Sequence, residues 1–212
     1  MSADRFGIVG RIVARTYQVE DVVAEGGFGV VYRAHHKGFR AKVALKCLKI
    51  PVDLTEDQRR QFLEQFSSEA EVLFRLTSRI HGIVRPLHVD AFHTDDGRLV
   101  PFMALEWLEG RTLDAIILRR AQKGRPPLSL ESLVQLLTPV ASALEQAHNL
   151  PGPDGPMMVG HRDMKPENLF IARDGEEDVA KILDFGIRKG KSAAGQLAGQ
   201  ASQSEDAFVS FL

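Results

Sequence analysis

An α+β chain in two parts, the first dominated by strands and the second by helices, is what the sequence predicts. Three observations carry the prediction. Up to about residue 108 the apolar residues mostly recur with period two, in short runs separated by turn residues. One long run with helical spacing, 55–76, interrupts them. Beyond Thr112 the helical period takes over, first to about Ala121 and again from Ser129 to Asn149.

In chain order, residues 1–15 mix charge and glycine into their apolar residues, a poor signal peptide and an expected loose leader. Tyr17, Val19 and Val22-Val23 predict a strand running into Ala24-Glu25-Gly26-Gly27-Phe28-Gly29, and Val30 to Ala34 predict the returning strand. The glycines therefore occupy a hairpin, where the missing Cβ lets backbone N–H groups approach an anion. A dinucleotide-binding turn would put them before a helix, and no helical pattern follows. Lys42 to Leu48 predict a third strand with Val43, Leu45 and Cys47 on one face and Ala44, Lys46 and Leu48 on the other. Lys46 is either a solvated strand lysine or, under the hairpin, a phosphate ligand.

Thr55 and Gln58 form a capping-box pattern that opens a helix to about Leu76. Phe62, Phe66, Ala70, Leu73 and Leu76 fall on one stripe of it, and Glu69 falls within that stripe while Glu64 and Glu71 face away. A carboxylate on a buried face needs a partner, and Lys46 is the candidate. Val89–Phe92 and Leu99–Leu105 predict two strands around the turn Thr94-Asp95-Asp96-Gly97. In the helix capped by Ser129 the expected stripe is Leu130, Leu133, Val134, Leu137, Val140, Ala141, Leu144 and His148, with Pro139 removing one backbone bond. Leu150–Pro156 is a Pro/Gly-rich loop. Leu169–Ile171 and Val179–Leu183 predict short strands around Asp174–Glu177.

Apolar residues make up 44% and charged residues 26% of the chain, an ordinary globular mix. The net charge of -1 indicates no general attraction to nucleic acid or to anionic membranes. No apolar run approaches the roughly 18 residues of a membrane span. The single cysteine, Cys47, cannot form an internal disulfide, which fits a cytoplasmic protein, and it reads as a small buried hydrophobe.

The chemistry-bearing stretch is His161-Arg162-Asp163-Met164-Lys165-Pro166-Glu167-Asn168, followed by Asp184-Phe185-Gly186. A carboxylate, an ammonium and an amide close together, with a second carboxylate downstream, suit phosphoryl transfer. That reaction needs a group to orient a hydroxyl, a cation for the travelling phosphate and oxygen ligands for Mg²⁺. With the glycine hairpin and Val43-Ala44-Leu45-Lys46 upstream, this order of motifs resembles the eukaryotic-type serine/threonine protein kinases, over nearly all of 16–187.

The resemblance implies a two-lobed protein kinase-like fold: a β-rich N-lobe over about 16–108 with one long helix, and a helical, incomplete C-lobe over about 109–212. It implies ATP and Mg²⁺ as cofactors and protein Ser/Thr hydroxyls as substrate. Ala24, Gly26, Gly29 and Val31 would form the nucleotide loop, with Ala24 standing where the family has its first glycine. Ala44, Lys46 and Glu69 would continue the site, and Leu105, Glu106 and Leu108 would border adenine. Asp163 would orient the substrate hydroxyl, Lys165 would neutralise the γ-phosphate, and Asn168 and Asp184 would hold Mg²⁺. Arg162 would either fix the loop or also pair with a phosphorylated activation segment. His161 is expected to pack and hydrogen-bond, and Phe185 to pack on the long helix.

Past Ile187 the pattern departs from the family, with Arg188 where a small residue is common. Residues 189–207 are rich in Gly, Ser, Ala and Gln and are expected to be mobile. Ser192, Ser202, Ser204 and Ser210 are either regulatory phosphorylation sites or plain linker residues. The Ala-Pro-Glu that closes the family's activation segment does not appear, so the expectation is a truncated kinase with an uncovered apolar face on the helix 130–149. The alternative is an ATP-binding regulatory remnant, pseudokinase-like, without phosphotransfer.

Overall fold

The computed structural model describes residues 4–185 apart from 28, 52, 153, 154, 158, 162, 175, 176 and 184. The expectations for Arg162, Asp184, Gly186 and everything from Ile187 onward, the four serines included, lie outside the described residues. The chain divides into two compact units: residues 4–71 with 86–107, and residues 72–85 with 108–185. The division falls between Trp107 and Leu108, and 72–85 belongs with the second unit. Two backbone bonds hold it there, Val84 N to Ile182 O at 2.9 Å and Ile182 N to Gly82 O at 2.8 Å.

The first unit is an antiparallel sheet. Its strands are β1 (Ile12–Val13), β2 (Tyr17–Glu25), β3 (Gly29–His36), β4 (Ala41–Leu48), β5 (Pro86–His93) and β6 (Leu99–Glu106), in the order β1-β2-β3-β4-β6-β5. Period-two alternation sends Val30, Tyr32, Ala34, Val43, Leu45, Cys47, Phe102 and Ala104 into one core. Burial pushes the Cys47 thiol well above its ordinary range, so it is an inert hydrophobe, as expected. The helix α1 (Glu56–Thr77) opens with the capping box read from the sequence: Gln58 N donates to Thr55 Oγ1 at 3.3 Å and Thr55 N donates to Gln58 Oε1 at 2.9 Å. Phe66, Ala70, Leu73 and Leu76 are buried on its stripe.

The loose leader expected over 1–15 is corrected by the structure. From Asp4 onward the segment is packed, with Phe6, Ile8 and Val13 in the core of the first unit. The Asp4 carboxylate accepts from Ile8 N at 3.2 Å, Val9 N at 2.9 Å and the Tyr32 hydroxyl at 3.0 Å. Gly7 and Gly10, at φ of 63° and 82°, supply the turns that bring the chain back over the sheet. Alternation failed to reveal this segment because it is an irregular, side-chain-anchored strap with only a two-residue strand.

In the second unit β7 (Gly110–Thr112) precedes α2 (Leu113–Gln122) and α3 (Leu130–His148), and a short ribbon follows, β8 (Leu150–Gly152) with β9 (Gly155–Met157). A 3₁₀ turn (Pro166–Asn168) leads into β10 (Leu169–Asp174) and β11 (Glu177–Ile182). The sheet order is β11-β10-β7. Ser129 caps α3, its Oγ accepting from Ser132 N at 3.1 Å. The stripe expected on α3 is only partly right. The buried line runs through Val140, Ala143 and Ala147, against β11 and Gly82, where an added Cβ would stand 3.0 Å from that of Ala143. Leu130 and Val134 are 78% and 57% exposed. The helix is apolar on more than one face, so periodicity did not choose which line is buried. Among the described residues no helix is long and apolar enough to cross a membrane.

Candidate active site

The first unit gathers most of the nucleotide-site candidates through strand register. Ala24 pairs with Val31, Val31 with Lys46, Lys46 with Met103, and Ala44 with Leu105. Directly opposed residues of an antiparallel ladder share a face. Ala24, Val31, Ala44, Lys46, Met103 and Leu105 therefore lie together on the face opposite the core. The sequence named all of these but Met103. That residue was missed because β6 is buried along nearly its whole length, which erases the period-two signal.

The hairpin between β2 and β3 is closed by Gly26 N to Gly29 O at 3.1 Å. Gly29 admits no side chain, because a Cβ there would stand 2.4 Å from the Cys47 carbonyl oxygen. Glu69 is half-buried and accepts from Gln65 Nε2 at 3.1 Å, whereas Glu64 and Glu71 are exposed, as periodicity indicated. Glu106 pairs with Val43 in the ladder and is half-buried, so the face just described does not include it. Trp107 stacks against a cation, with the Arg33 guanidinium 5.9 Å from its ring centre. Leu108 belongs to the second unit and is half-buried.

The second unit folds the chemistry-bearing stretch onto one point. Pro166 starts the 3₁₀ turn, where its missing N–H costs nothing, and Asn168 N donates to Lys165 O at 3.0 Å. This turn carries the Asn168 side chain back over Asp163. Its Nδ2 donates to Asp163 O at 2.8 Å and to Asp163 Oδ2 at 3.1 Å. Lys165 Nζ stands 3.1 Å from the same Oδ2. Asn168 is 2% exposed and is anchored on its far side by Leu183 N donating to its carbonyl at 3.0 Å. With Nδ2 turned to Asp163, Asn168 keeps Oδ1, the kind of oxygen a hard cation takes. The structure thus brings Asp163, Lys165 and Asn168 together.

His161 is a buried prop. Its Nδ1 accepts from Asp163 N at 3.3 Å and its ring meets Phe185 edge-on, centres 5.2 Å apart. Nε2 finds no hydrogen-bond partner among the described residues. Burial pulls the imidazole pKa down to about 4, against a weaker upward pull from Asp163. A lowered folded-state value means that the unfolded chain binds a proton the folded chain refuses. The stability His161 contributes is therefore full above about pH 6.5 and falls as pH drops toward 4. His161→Phe is expected to flatten that acid limb, read as urea midpoints of both proteins between pH 7 and pH 5. Parallel pH slopes would remove His161 as the titrating group.

The model of the protein kinase domain matches residues 17–203. The chain belongs to the protein kinase family. Over 182 residues the kinase domain is 35% identical to serine/threonine-protein kinase pkn3 of Myxococcus xanthus, covering 85% of this chain and 29% of that one. It is 32% identical over 178 residues to serine/threonine-protein kinase PknL of Mycobacterium tuberculosis, covering 84% of this chain and 38% of that one. The chain thus spans well under half the length of these relatives. Among solved structures, the kinase domain of M. tuberculosis PknI is similar at a TM-score of 0.58 and 26% identity, over 85% of this chain and 61% of that one. The apo form of PpkA-294 is similar at a TM-score of 0.65 and 23% identity, over 92% and 66% of the two chains. These likenesses bear out the kinase-type fold expected from the sequence.

Proposed function

We propose that this kinase domain transfers the γ-phosphoryl group of Mg²⁺-ATP to serine or threonine hydroxyls of protein substrates. The observation that supports it most is the convergence of Asp163, Lys165 and Asn168, with Lys165 Nζ and Asn168 Nδ2 each 3.1 Å from one carboxylate oxygen. On this reading Asp163 orients the substrate hydroxyl and receives its proton. Lys165 swings from Asp163 to the transferring group and offsets its charge. Asn168 Oδ1 and Asp184, the latter outside the described residues, hold the metal. Mg²⁺-ATP, when bound, supplies the transferable phosphoryl group and a divalent charge to screen it.

Lys46 holds the inner phosphates and Glu69 orients Lys46. Gly26 and Gly29 present backbone donors, while Ala24, Val31, Ala44 and Leu105 form an apolar wall for the base. Glu106 and Leu108 offer backbone groups at its edge. The small and aliphatic residues sharing one sheet face with Lys46 fit such a ligand. We place the activity in the cytoplasm, where ATP is abundant.

The test is radioactive phosphate incorporation into a generic Ser/Thr protein substrate, with a thermal melt in Mg²⁺-ATP alongside. Saturating nucleotide, at 100 times its Kd, is expected to stabilise the fold by about 2.7 kcal/mol. Lys46→Met is expected to lower transfer by about 10²–10³-fold, the scale of losing one preorganised charge contact. Undiminished transfer in that variant would remove Lys46 from the phosphate site. Nucleotide binding without transfer in the wild type would return the chain to the regulatory-remnant reading.

A further inference from the structure

The glycine hairpin carries a lock that the motifs do not include. Gly29 pairs with Leu48, so Lys49 stands one residue past the last rung of the β3–β4 ladder, beside the hairpin. Its side chain is only 16% exposed. Its Nζ donates to the Gly26 carbonyl at 2.6 Å and to Glu25 Oε1 at 2.9 Å. Arg5 of the N-terminal strap adds a second, longer charge contact to the same oxygen, 3.9 Å away.

Peptide planarity gives this contact its consequence. In a trans peptide the C=O of one residue and the N–H of the next point in opposite directions. Holding the Gly26 carbonyl on Lys49 therefore turns the Gly27 N–H away from the ammonium. With glycine on both sides of that peptide, both orientations are otherwise open to it, because neither residue has a Cβ to forbid one. A flipped peptide would present a carbonyl where a donor is wanted, and a carbonyl repels a phosphate oxygen.

We propose that Lys49 is a positioning residue for nucleotide binding, fixing the Gly26–Gly27 peptide so that its N–H serves the anion, with Glu25 holding the ammonium in place. This rests on the ATP-binding reading above. Lys49 touches the hairpin backbone, and the roles given to Lys46 and Asp163 are unchanged by it. Glu25, a carboxylate on the proposed phosphate-binding hairpin, has its charge offset by Lys49 and, at longer range, by Arg5.

The experiment combines hydrogen exchange across 24–29 in the nucleotide-free protein with steady-state kinetics in ATP. Lys49→Met is expected to speed hairpin exchange about fivefold. It is also expected to raise KM for ATP about tenfold while kcat stays within about twofold, the pattern of lost ground-state binding. Lys49→Arg should restore most of both, since a guanidinium still donates to the carbonyl and the carboxylate. A merely structural role would instead speed exchange across the whole sheet. Hairpin exchange in Lys49→Met equal to wild type, or exchange raised equally throughout the sheet, would overturn the proposal. If wild type fails to bind ATP, the kinase reading falls, and hairpin exchange still decides whether Lys49 locks the peptide. Should Lys49→Met not fold, Glu25→Gln replaces it: faster hairpin exchange supports the lock and unchanged exchange refutes it.

Discussion

Asp163→Asn is expected to lower phosphate transfer by about 10²–10⁴-fold, the range of losing a positioned general base, with Mg²⁺-ATP binding retained. The substitution keeps the shape and removes the charge. In the structure one oxygen, Oδ2, faces both the Asn168 amide and the Lys165 ammonium. An asparagine can offer its own Oδ1 to one of them, but it neither attracts Lys165 as an anion nor takes a proton from a hydroxyl. The Asp163 backbone carbonyl still accepts from Asn168 Nδ2, so the loop keeps its main anchor. The fold should therefore survive, and a thermal melt in Mg²⁺-ATP should show the same nucleotide stabilisation as wild type. Transfer within a few-fold of wild type would take Asp163 out of the chemistry. Loss of nucleotide stabilisation along with transfer would mean that the loop had collapsed.

Gly110→Ala is expected to be the most damaging small substitution to folding. A Cβ at this position would lie 2.0 Å from the Ile171 carbonyl oxygen and 2.9 Å from Phe170 Cε1. The first neighbour is backbone and cannot rotate away. Relief requires β7 to separate from β10, breaking the register that sets Gly110 opposite Ala172 and Thr112 opposite Phe170. Overpacking of this kind costs about 1–3 kcal/mol, and occasionally more. For a chain of this size that lowers Tm by roughly 2–12 °C. Because β10 begins immediately after Asn168, transfer activity should fall as well. A variant that melts with wild type would show that β7 does not pair at this edge in solution.

The parts of the molecule legible in the sequence are those whose signals are local. A capping box needs only Thr55 and Gln58, and both of its bonds form. A helical stripe needs only spacing, which separated half-buried Glu69 from exposed Glu64 and Glu71. The approach of Asp163, Lys165 and Asn168 was foreshadowed because the three residues sit within one short loop. Register is different. That Ala24, Val31, Lys46 and Met103 form a single row across the sheet depends on hydrogen bonds between strands far apart in the chain.

The remaining decisions belonged to tertiary structure for the same reason. Asp4 and Phe6 are tied to the sheet by the distant Tyr32 hydroxyl, which donates to the Asp4 carboxylate and accepts from Phe6 N. On α3, apolar residues cover more than one face, and contact with β11 and Gly82 selected Val140, Ala143 and Ala147 for burial. Nothing in the sequence around Lys49 marks it, and only the folded hairpin brings the Gly26 carbonyl within 2.6 Å of its Nζ. The sequence by itself determined the long helices, most of the strands of the first unit and which chemical groups are available. The tertiary structure decided which of those groups meet, because contact between distant segments leaves no periodic trace in either one.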